Sequence, residues 1–199
     1  MTIQLGWFST GRGPGSYGML SHFMSAIESG EIDAQIQFVF SNRDYGEGAG
    51  SDQFFDFVRR KQIPLIHYSF RKFLHDRGGR FEGYRAEYDS RVLEALLPYS
   101  SDICLLAGYL LILSPELCNS RIFLNLHPAL PWGPKGLWQS VIWELIESKQ
   151  IETGATVFRV TEELDAGPAI ALNRFPIVGP VFDTLWEELQ IKDIKDVSL

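Results

Sequence analysis

An unbroken apolar run at residues 103–107, Ile-Cys-Leu-Leu-Ala, limits the possible fold more than any other stretch of this chain. The run has no polar residue on either face, as is typical of a strand that is buried on both faces. Such strands occur in parallel sheets that are covered by helices on both sides. The run therefore favours an α/β fold in which helices alternate with strands.

The rest of the chain supplies that alternation. Segments with strand character or with helical spacing of apolar residues follow one another from end to end. Predicted strands are 3–8, 34–40, 64–67, 102–107, 122–127, 153–160 and 169–177, and predicted helices are 19–29, 53–61, 83–97, one starting at 114–117, 138–148 and 182–192. Residues 69–84 are basic and contain glycine, and they are expected to be a flexible excursion. The pattern predicts one Rossmann-like domain over residues 1–199, with a mostly parallel, twisted sheet and helices on both faces.

Charge and composition exclude several classes of protein. The net charge of −7 argues against a general nucleic-acid binder, which needs basic surface to neutralise phosphates. No stretch reaches the roughly 18 apolar residues that a membrane span requires. The first residues lack the basic and apolar regions of a signal peptide. Cys104 and Cys118 match no metal-ligand spacing and are expected to be reduced thiols, as in a cytoplasmic protein. Together these observations predict a cytoplasmic chain with no metal, nucleic-acid or membrane partner.

A glycine-rich turn follows the first predicted strand. Gly13-x-Gly15-x-x-Gly18 fits a dinucleotide fingerprint, and the helix that follows offers free backbone N–H groups to an anion. The fingerprint also requires an acidic residue at the end of the second strand, where this chain has Ser41-Asn42. The turn is therefore expected to bind a phosphate and not a whole NAD. A tight turn that binds nothing is the alternative.

A polar pair ends the strand at residues 122–127. Asn125 and His127 are two residues apart, so they share one face of a strand. An amide donor beside a titratable base suits chemistry on a carbonyl group, although a pair that merely caps the strand would look the same. Prolines and glycines follow at once and predict a rigid loop. In parallel sheets ligands bind beyond the carboxyl ends of the strands, where the glycine-rich turn, residues 108–113 and the loop 162–167 also lie.

These segments together resemble the folate-dependent formyltransferase family. The resemblance is carried by Asn125-Leu-His127-Pro, by Leu-Asp165-Ala-Gly-Pro 38 residues after the histidine, and by supporting segments in the same order over most of the chain. It implies transfer of a formyl group from the co-substrate 10-formyltetrahydrofolate, without a metal, to a primary amine. The nearer branch of the family formylates 5′-phosphoribosylglycinamide in purine biosynthesis. The implied partners are small molecules bearing a phosphate and a primary amine, and the implied assembly is a monomer or homodimer.

The resemblance also implies roles for individual residues. His127 carries or relays the proton, Asn125 donates a hydrogen bond to the tetrahedral oxyanion, worth about 3–4 kcal/mol, and Asp165 keeps the imidazole protonated. Implied folate-binding residues are Arg85, Leu110, Leu111, Ile112, Leu113, Thr161, Glu162, Glu163 and Leu164. Implied acceptor-binding residues are Gly15, Ser16, Tyr17, Pro128, Gly136 and Asp193.

Several positions depart from the family pattern. The phosphate turn is longer by two residues, Leu111 stands where a second folate-facing arginine is usual, and the family's final helix is expected to be short or absent. These departures leave other readings open. A formyltransferase for another amine, such as an amino sugar, is one of them. A formyltetrahydrofolate hydrolase is the second, and a non-catalytic phosphate- or folate-binding module is the third.

Overall fold

The computed structural model describes residues 1–78, 81–163 and 166–191, and its elements follow the predicted alternation. The strands are Ile3–Phe8 (β1), Ala34–Ser41 (β2), Leu65–His67 (β3), Ile103–Leu106 (β4), Phe123–His127 (β5), Glu152–Arg159 (β6) and Ala169–Pro176 (β7). The helices are Pro14–Glu28 (α1), Ala49–Arg60 (α2), Phe70–His75 (α3), Phe81–Leu96 (α4), Pro115–Ser120 (α5), Trp138–Glu147 (α6) and Asp183–Ile191 (α7).

The chain divides into two units, and the first comprises residues 1–126 and 159–167. Its strands pair in the order β3-β2-β1-β4-β5, and every one of these pairings is parallel. At the centre, Phe8 of β1 lies opposite Phe40 of β2 and Leu106 of β4. The predicted parallel sheet is confirmed. Its strands end at a common edge because they all run in the same direction.

Helices cover both faces of this sheet because the side chains of β1 alternate between two apolar clusters. Phe8 is fully buried in one cluster, which contains side chains from α4 and α5. Trp7 lies in the other, which contains side chains from α1 and α2. Fully burying one such side chain contributes about 1.5–3 kcal/mol. The prediction of helices on both faces is confirmed.

The two cysteines are buried in the first of these clusters. Cys104 is 0% exposed and Cys118 is 5% exposed, and both are free thiols. Burial raises the pKa of each thiol, because the apolar surroundings disfavour the thiolate.

Two predicted helix boundaries were wrong. The first helix begins at Pro14 and not at residue 19, since proline at the first helical position has a compatible φ and needs no N–H partner. The glycine-rich turn is thus partly the first turn of α1. The second helix begins at Ala49 and not at residue 53, and Gly50 lets its first turn approach the loop before α1. A β-carbon at Gly50 would lie 2.3 Å from the carbonyl oxygen of Arg12.

The expected excursion at residues 69–84 contains helix α3 and the start of α4. Ser69 caps α3, since its hydroxyl accepts a hydrogen bond from the N–H of Lys72 at 3.0 Å. Phe73 is 2% exposed and anchors the short helix in the core. A six-residue helix depends on such a cap and anchor, because it is too short to be stable alone.

The second unit comprises residues 127–158 and 168–199. The structure describes all of the first range and residues 168–191 of the second. The unit contains helices α6 and α7 and an antiparallel pair of strands, β6 and β7. Gly154 allows this pairing beside the loop that follows β5, because a β-carbon there would lie 2.1 Å from the carbonyl oxygen of Asn173 and 2.7 Å from Leu130.

None of the helices in the described parts of the chain could span a membrane. The same residues contain no group of three or more His, Cys, Asp or Glu side chains placed to hold a metal ion.

Candidate functional site

In the first unit, the turn after β4 packs against the start of α1. Gly108 has a φ of +73°, and a β-carbon at this position would lie 2.7 Å from the Ser16 hydroxyl oxygen. The carbonyl of Gly108 accepts a hydrogen bond from the N–H of Thr10 at 3.0 Å. The Thr10 hydroxyl oxygen in turn accepts the N–H of Leu110 at 3.2 Å. The segments after β1 and β4 are therefore joined, as the sequence predicts for two parallel strand ends.

The start of α1 offers fewer free donors than the sequence suggests. The N–H groups of Ser16 and Tyr17 both donate to the carbonyl of Gly13, at 3.1 and 3.4 Å. The Tyr17 ring packs on Phe57 of α2, with centroids 4.9 Å apart. The groups that remain for an anion are the Gly15 N–H and the Ser16 hydroxyl, and the first turn of α1 has no acidic residue to repel it.

Residues 110–113, which are predicted to bind the folate, divide into two exposed and two packed side chains. Leu110 and Ile112 are exposed by 43% and 39%. Leu111 packs against the core, and Leu113 is 4% exposed within it. Of these four residues, only Leu110 and Ile112 therefore present apolar surface outside the core.

Arg85 is followed on α4 by a buried acid, Asp89, which no sequence signal indicated. Arg85 lies one helical turn before Asp89 on α4, and the Asp89 carboxylate accepts the backbone N–H of Ser114. Burial raises the pKa of Asp89 above its ordinary value, while the hydrogen bond from Ser114 and the charge of Arg85 act in the opposite direction. The motif Arg-Ala-Glu-Tyr-Asp contains both residues, but nothing in it indicates that the acid reaches Ser114.

The loop after β6 is described as far as Glu163, and Leu164 and Asp165 lie outside the described residues. The N–H of Val160 donates to the carbonyl of Phe123 at 2.8 Å, which places the start of the loop beside β5. The Glu162 carboxylate accepts a hydrogen bond from Asn119 at 2.9 Å. The Thr161 hydroxyl donates to the Glu163 carbonyl at 3.1 Å. Thr161, Glu162 and Glu163 are all exposed.

Asn125 belongs to the same unit. It is half-buried in β5 and pairs with Leu106, the last residue of β4. The amide therefore lies at the carboxyl edge of the sheet, where the sequence predicts it.

His127 ends β5 and belongs to the second unit. Its side chain is 4% exposed, and Nε2 lies 2.8 Å from the carbonyl oxygen of Pro134. The ring lies near that of Phe158, with centroids 6.2 Å apart. No sequence signal pointed to Pro134, because its contribution is a backbone oxygen.

The loop after His127 is partly buried and partly open. Pro128 is exposed, Ala129 and Leu130 are buried, and Gly136 is exposed with a φ of +103°. The predicted acceptor residue Asp193 lies outside the described residues.

Comparison with known proteins gives one family and several relatives. The model of the formyl transferase family matches residues 13–186. A phosphoribosylglycinamide formyltransferase of Haemophilus influenzae is 30% identical over 162 residues, covering 79% of this chain and 68% of the relative. That of Escherichia coli is 27% identical over 177 residues, covering 87% and 76%. The structure of glycinamide ribonucleotide transformylase 1 from Geobacillus kaustophilus matches with a TM-score of 0.71 and 26% identity, covering 96% of this chain and 93% of that one.

Proposed function

Because the chain belongs to the formyl transferase family, we propose that it transfers the formyl group of 10-formyltetrahydrofolate to the primary amine of 5′-phosphoribosylglycinamide, in purine biosynthesis. It is a formyl-transferring enzyme that acts on small molecules with a folate-type donor. The acceptor is inferred from the names of the relatives. The match of the family model to residues 13–186 carries the proposal, since it spans both Asn125 and His127.

The proposed reaction forms one bond to carbon and breaks another. The acceptor nitrogen attacks the formyl carbon, and the carbonyl oxygen becomes a tetrahedral oxyanion. The intermediate collapses by breaking the bond to N10 of the folate, and a proton moves from the attacking nitrogen to N10. Tetrahydrofolate and the formamide are released, so no oxidant or reductant is needed.

Each proposed catalytic residue acts at one step of this reaction. The Asn125 amide donates a hydrogen bond to the oxyanion, which is stabilised more than the ground-state carbonyl. The His127 imidazole carries the proton between the two nitrogens. Asp165, which lies outside the described residues, is proposed to favour the charged imidazolium.

Substrate binding is assigned to the surrounding segments. The Gly15 N–H and the Ser16 hydroxyl are proposed to meet the acceptor phosphate, supported by their position in the first turn of α1. Leu110 and Ile112 are proposed to contact the pterin, and Arg85 is proposed to pair with the folate glutamate carboxylate. The other proposed contacts are Tyr17, Pro128, Gly136, Thr161, Glu162, Glu163, Leu164 and Asp193. Leu111 and Leu113 are not among them, because they pack against the core.

The test is an assay of tetrahydrofolate release from 10-formyltetrahydrofolate with a panel of amines. Release is expected with 5′-phosphoribosylglycinamide and not with unphosphorylated amino sugars. Release in the absence of any amine would instead indicate a hydrolase, and folate binding without release under any condition would indicate a binding module.

The proposed residues are tested in the same assay. His127→Ala and Asp165→Ala are expected to reduce kcat by a factor of about 100 or more while the protein stays folded. The matched control is His22→Ala, since His22 is exposed on α1. Rates near those of the unaltered enzyme for both variants would refute the catalytic assignment.

A further inference from the structure

One of the two imidazole nitrogens of His127 is already occupied by the protein backbone. Its Nε2 lies 2.8 Å from the Pro134 carbonyl oxygen, and a carbonyl can only accept. The proton of this hydrogen bond must therefore sit on Nε2. We infer that Pro134 is a positioning residue whose carbonyl holds His127 in the Nε2–H form, so that Nδ1 is the nitrogen that exchanges protons with the substrates. This inference rests on the proposed role of His127 in formyl transfer.

The Pro134 carbonyl is held in place by a tight turn. The N–H of Gly133 donates to the carbonyl of Leu130 at 2.8 Å, which closes residues 130–133 into a turn directly before Pro134. A β-carbon at Gly133 would lie 3.1 Å from the Leu130 carbonyl oxygen and 3.2 Å from the Ala129 side chain. Proline fixes φ at position 134. The backbone that leads to the Pro134 carbonyl is therefore restrained by the turn and by the proline ring, and not by the imidazole contact alone.

Ala129, the residue directly before this turn, is anchored by buried groups of the same unit. Ala129 is 0% exposed and packs with Val141 and Leu145 of α6. Its carbonyl accepts a hydrogen bond of 2.7 Å from the hydroxyl of Thr156, which is also 0% exposed. A buried, satisfied hydrogen bond of this kind is costly to break. The loop that carries Pro134 is thus anchored to β6 through Ala129, and its Pro134 carbonyl contacts Nε2 of the imidazole.

This arrangement restricts how the proton is moved. A relay in which a carboxylate binds one ring nitrogen and the substrate meets the other needs both nitrogens, and here Nε2 is occupied. Instead, neutral Nδ1 accepts the proton of the attacking amine. The imidazolium then returns a proton from Nδ1 to the departing N10. The Nε2–H bond stays unchanged through both transfers, so charges and protons balance.

A pair of substitutions separates the two nitrogens. His127→Gln places an amide N–H near the position of Nε2, whereas His127→Asn places it near Nδ1. His127→Gln is expected to keep the hydrogen bond to Pro134 and the Tm of the unaltered protein. His127→Asn is expected to lower Tm by about 2–4 °C, the shift for one lost hydrogen bond in a chain of this size. The reverse order of Tm values would overturn the inference.

Nitrogen NMR gives a readout that a purely structural role would not move. In histidine-labelled protein, the His127 signals are identified by their loss in His127→Gln. Neutral His127 is expected to carry its proton on Nε2, with slow exchange of that proton with water, and to leave Nδ1 unprotonated. A dominant Nδ1–H form, or fast exchange at Nε2, would overturn the inference.

The role of Pro134 is tested by loosening the turn. Pro134→Ala frees φ beside the carbonyl, and kcat is expected to fall by about tenfold or more with little change in KM. Pro98→Ala is the matched control, since Pro98 is exposed in the turn after α4 and lies outside the loop that contacts His127. Equal effects of the two substitutions on kcat would contradict a positioning role for Pro134.

The two proposals can fail separately. If the unaltered protein releases no tetrahydrofolate with any amine of the panel, the proposed function is wrong whatever the NMR shows. If His127→Ala retains full activity, formyl transfer stands and the catalytic role of His127 is refuted. If His127→Ala is inactive but the imidazole is protonated on Nδ1, formyl transfer stands and only the positioning by Pro134 is refuted.

Discussion

Gly108 and Ser16 approach so closely that a β-carbon on Gly108 would lie 2.7 Å from the serine hydroxyl oxygen. The turn after β4 and the first turn of α1 are joined at this contact. Because Ser16 is a proposed phosphate ligand, the glycine connects a strand end in the centre of the sheet with the proposed binding group.

Gly108→Ala is expected to destabilise the protein by about 2–3 kcal/mol, because it adds left-handed backbone strain to a steric clash. Gly30→Ala is the matched control, since Gly30 has a φ of +78° and open space around its added β-carbon. Its expected cost is about 1 kcal/mol. Urea unfolding measures both values. Adding Ser16→Ala to Gly108→Ala should recover the difference, and failure to do so would show that the clash is elsewhere.

Asn125→Ala is expected to reduce kcat by a factor of about 100–1,000, the usual cost of removing an oxyanion donor. Asn125→Asp keeps the size of the side chain but removes the N–H donor, so it should be as slow. Steady-state kinetics with both substrates measure the effect. A rise in KM alone, with kcat unchanged, would assign Asn125 to substrate binding.

Asp89→Asn is expected to raise stability at neutral pH, because the pKa of Asp89 is raised by burial above 3.8 and its ionised form is disfavoured in the fold. The stability that Asp89 contributes is fully present below 3.8 and is lost as pH rises through the higher folded pKa. The advantage of the asparagine variant should therefore shrink on acidification. Urea unfolding from pH 7 to pH 4 measures this, and a pH-independent difference would contradict it.

Asp89→Leu provides the comparison for the hydrogen bond. Asparagine retains an acceptor for the Ser114 N–H, whereas leucine leaves that buried donor unpaired at a cost of about 1–3 kcal/mol. The leucine variant is thus expected to be less stable than the asparagine variant at every pH. Equal stabilities would show that Ser114 finds another acceptor.

Asp44→Asn is expected to cost about 1 kcal/mol at neutral pH, because the carboxylate accepts hydrogen bonds from both His67 and Lys72, at 2.8 and 2.7 Å. Burial alone would raise the pKa of Asp44, but these two partners lower it below 3.8. Its contribution is present above 3.8 and is lost as pH falls through the lower folded pKa. The gap between the variant and the unaltered protein should close in strong acid, in a denaturant titration repeated at each pH.

The fold was largely predictable because apolar periodicity decides which segments are strands and helices. The run at residues 103–107 contains β4, and the Ser114-Pro115 signal marks the start of α5. Helix α3 was missed because six residues carry too little periodicity, and its cap and its anchor, Phe73, act only in the folded context.

The residues of the site were less predictable than the fold. Strand spacing predicted that Asn125 lies at a strand end. Leu110 and Ile112, which are predicted to bind the folate, have exposed side chains. The contacts of His67 with Asp44 and of His127 with Pro134 have no local signal, because the partners are set by tertiary packing and one of them is a backbone oxygen.

Because the two cysteines are buried, unfolding of the chain can be followed by two separate signals, the reactivity of its thiols and the fluorescence of its tryptophans. Cys104 and Cys118 both belong to the first unit, whereas four of the five tryptophans, Trp132, Trp138, Trp143 and Trp186, belong to the second. Alkylation of the shielded thiols reports the opening of one unit, and indole fluorescence reports chiefly on the other. If the two signals change at different denaturant concentrations, the two units unfold in separate steps, and no residue has to be introduced to observe it.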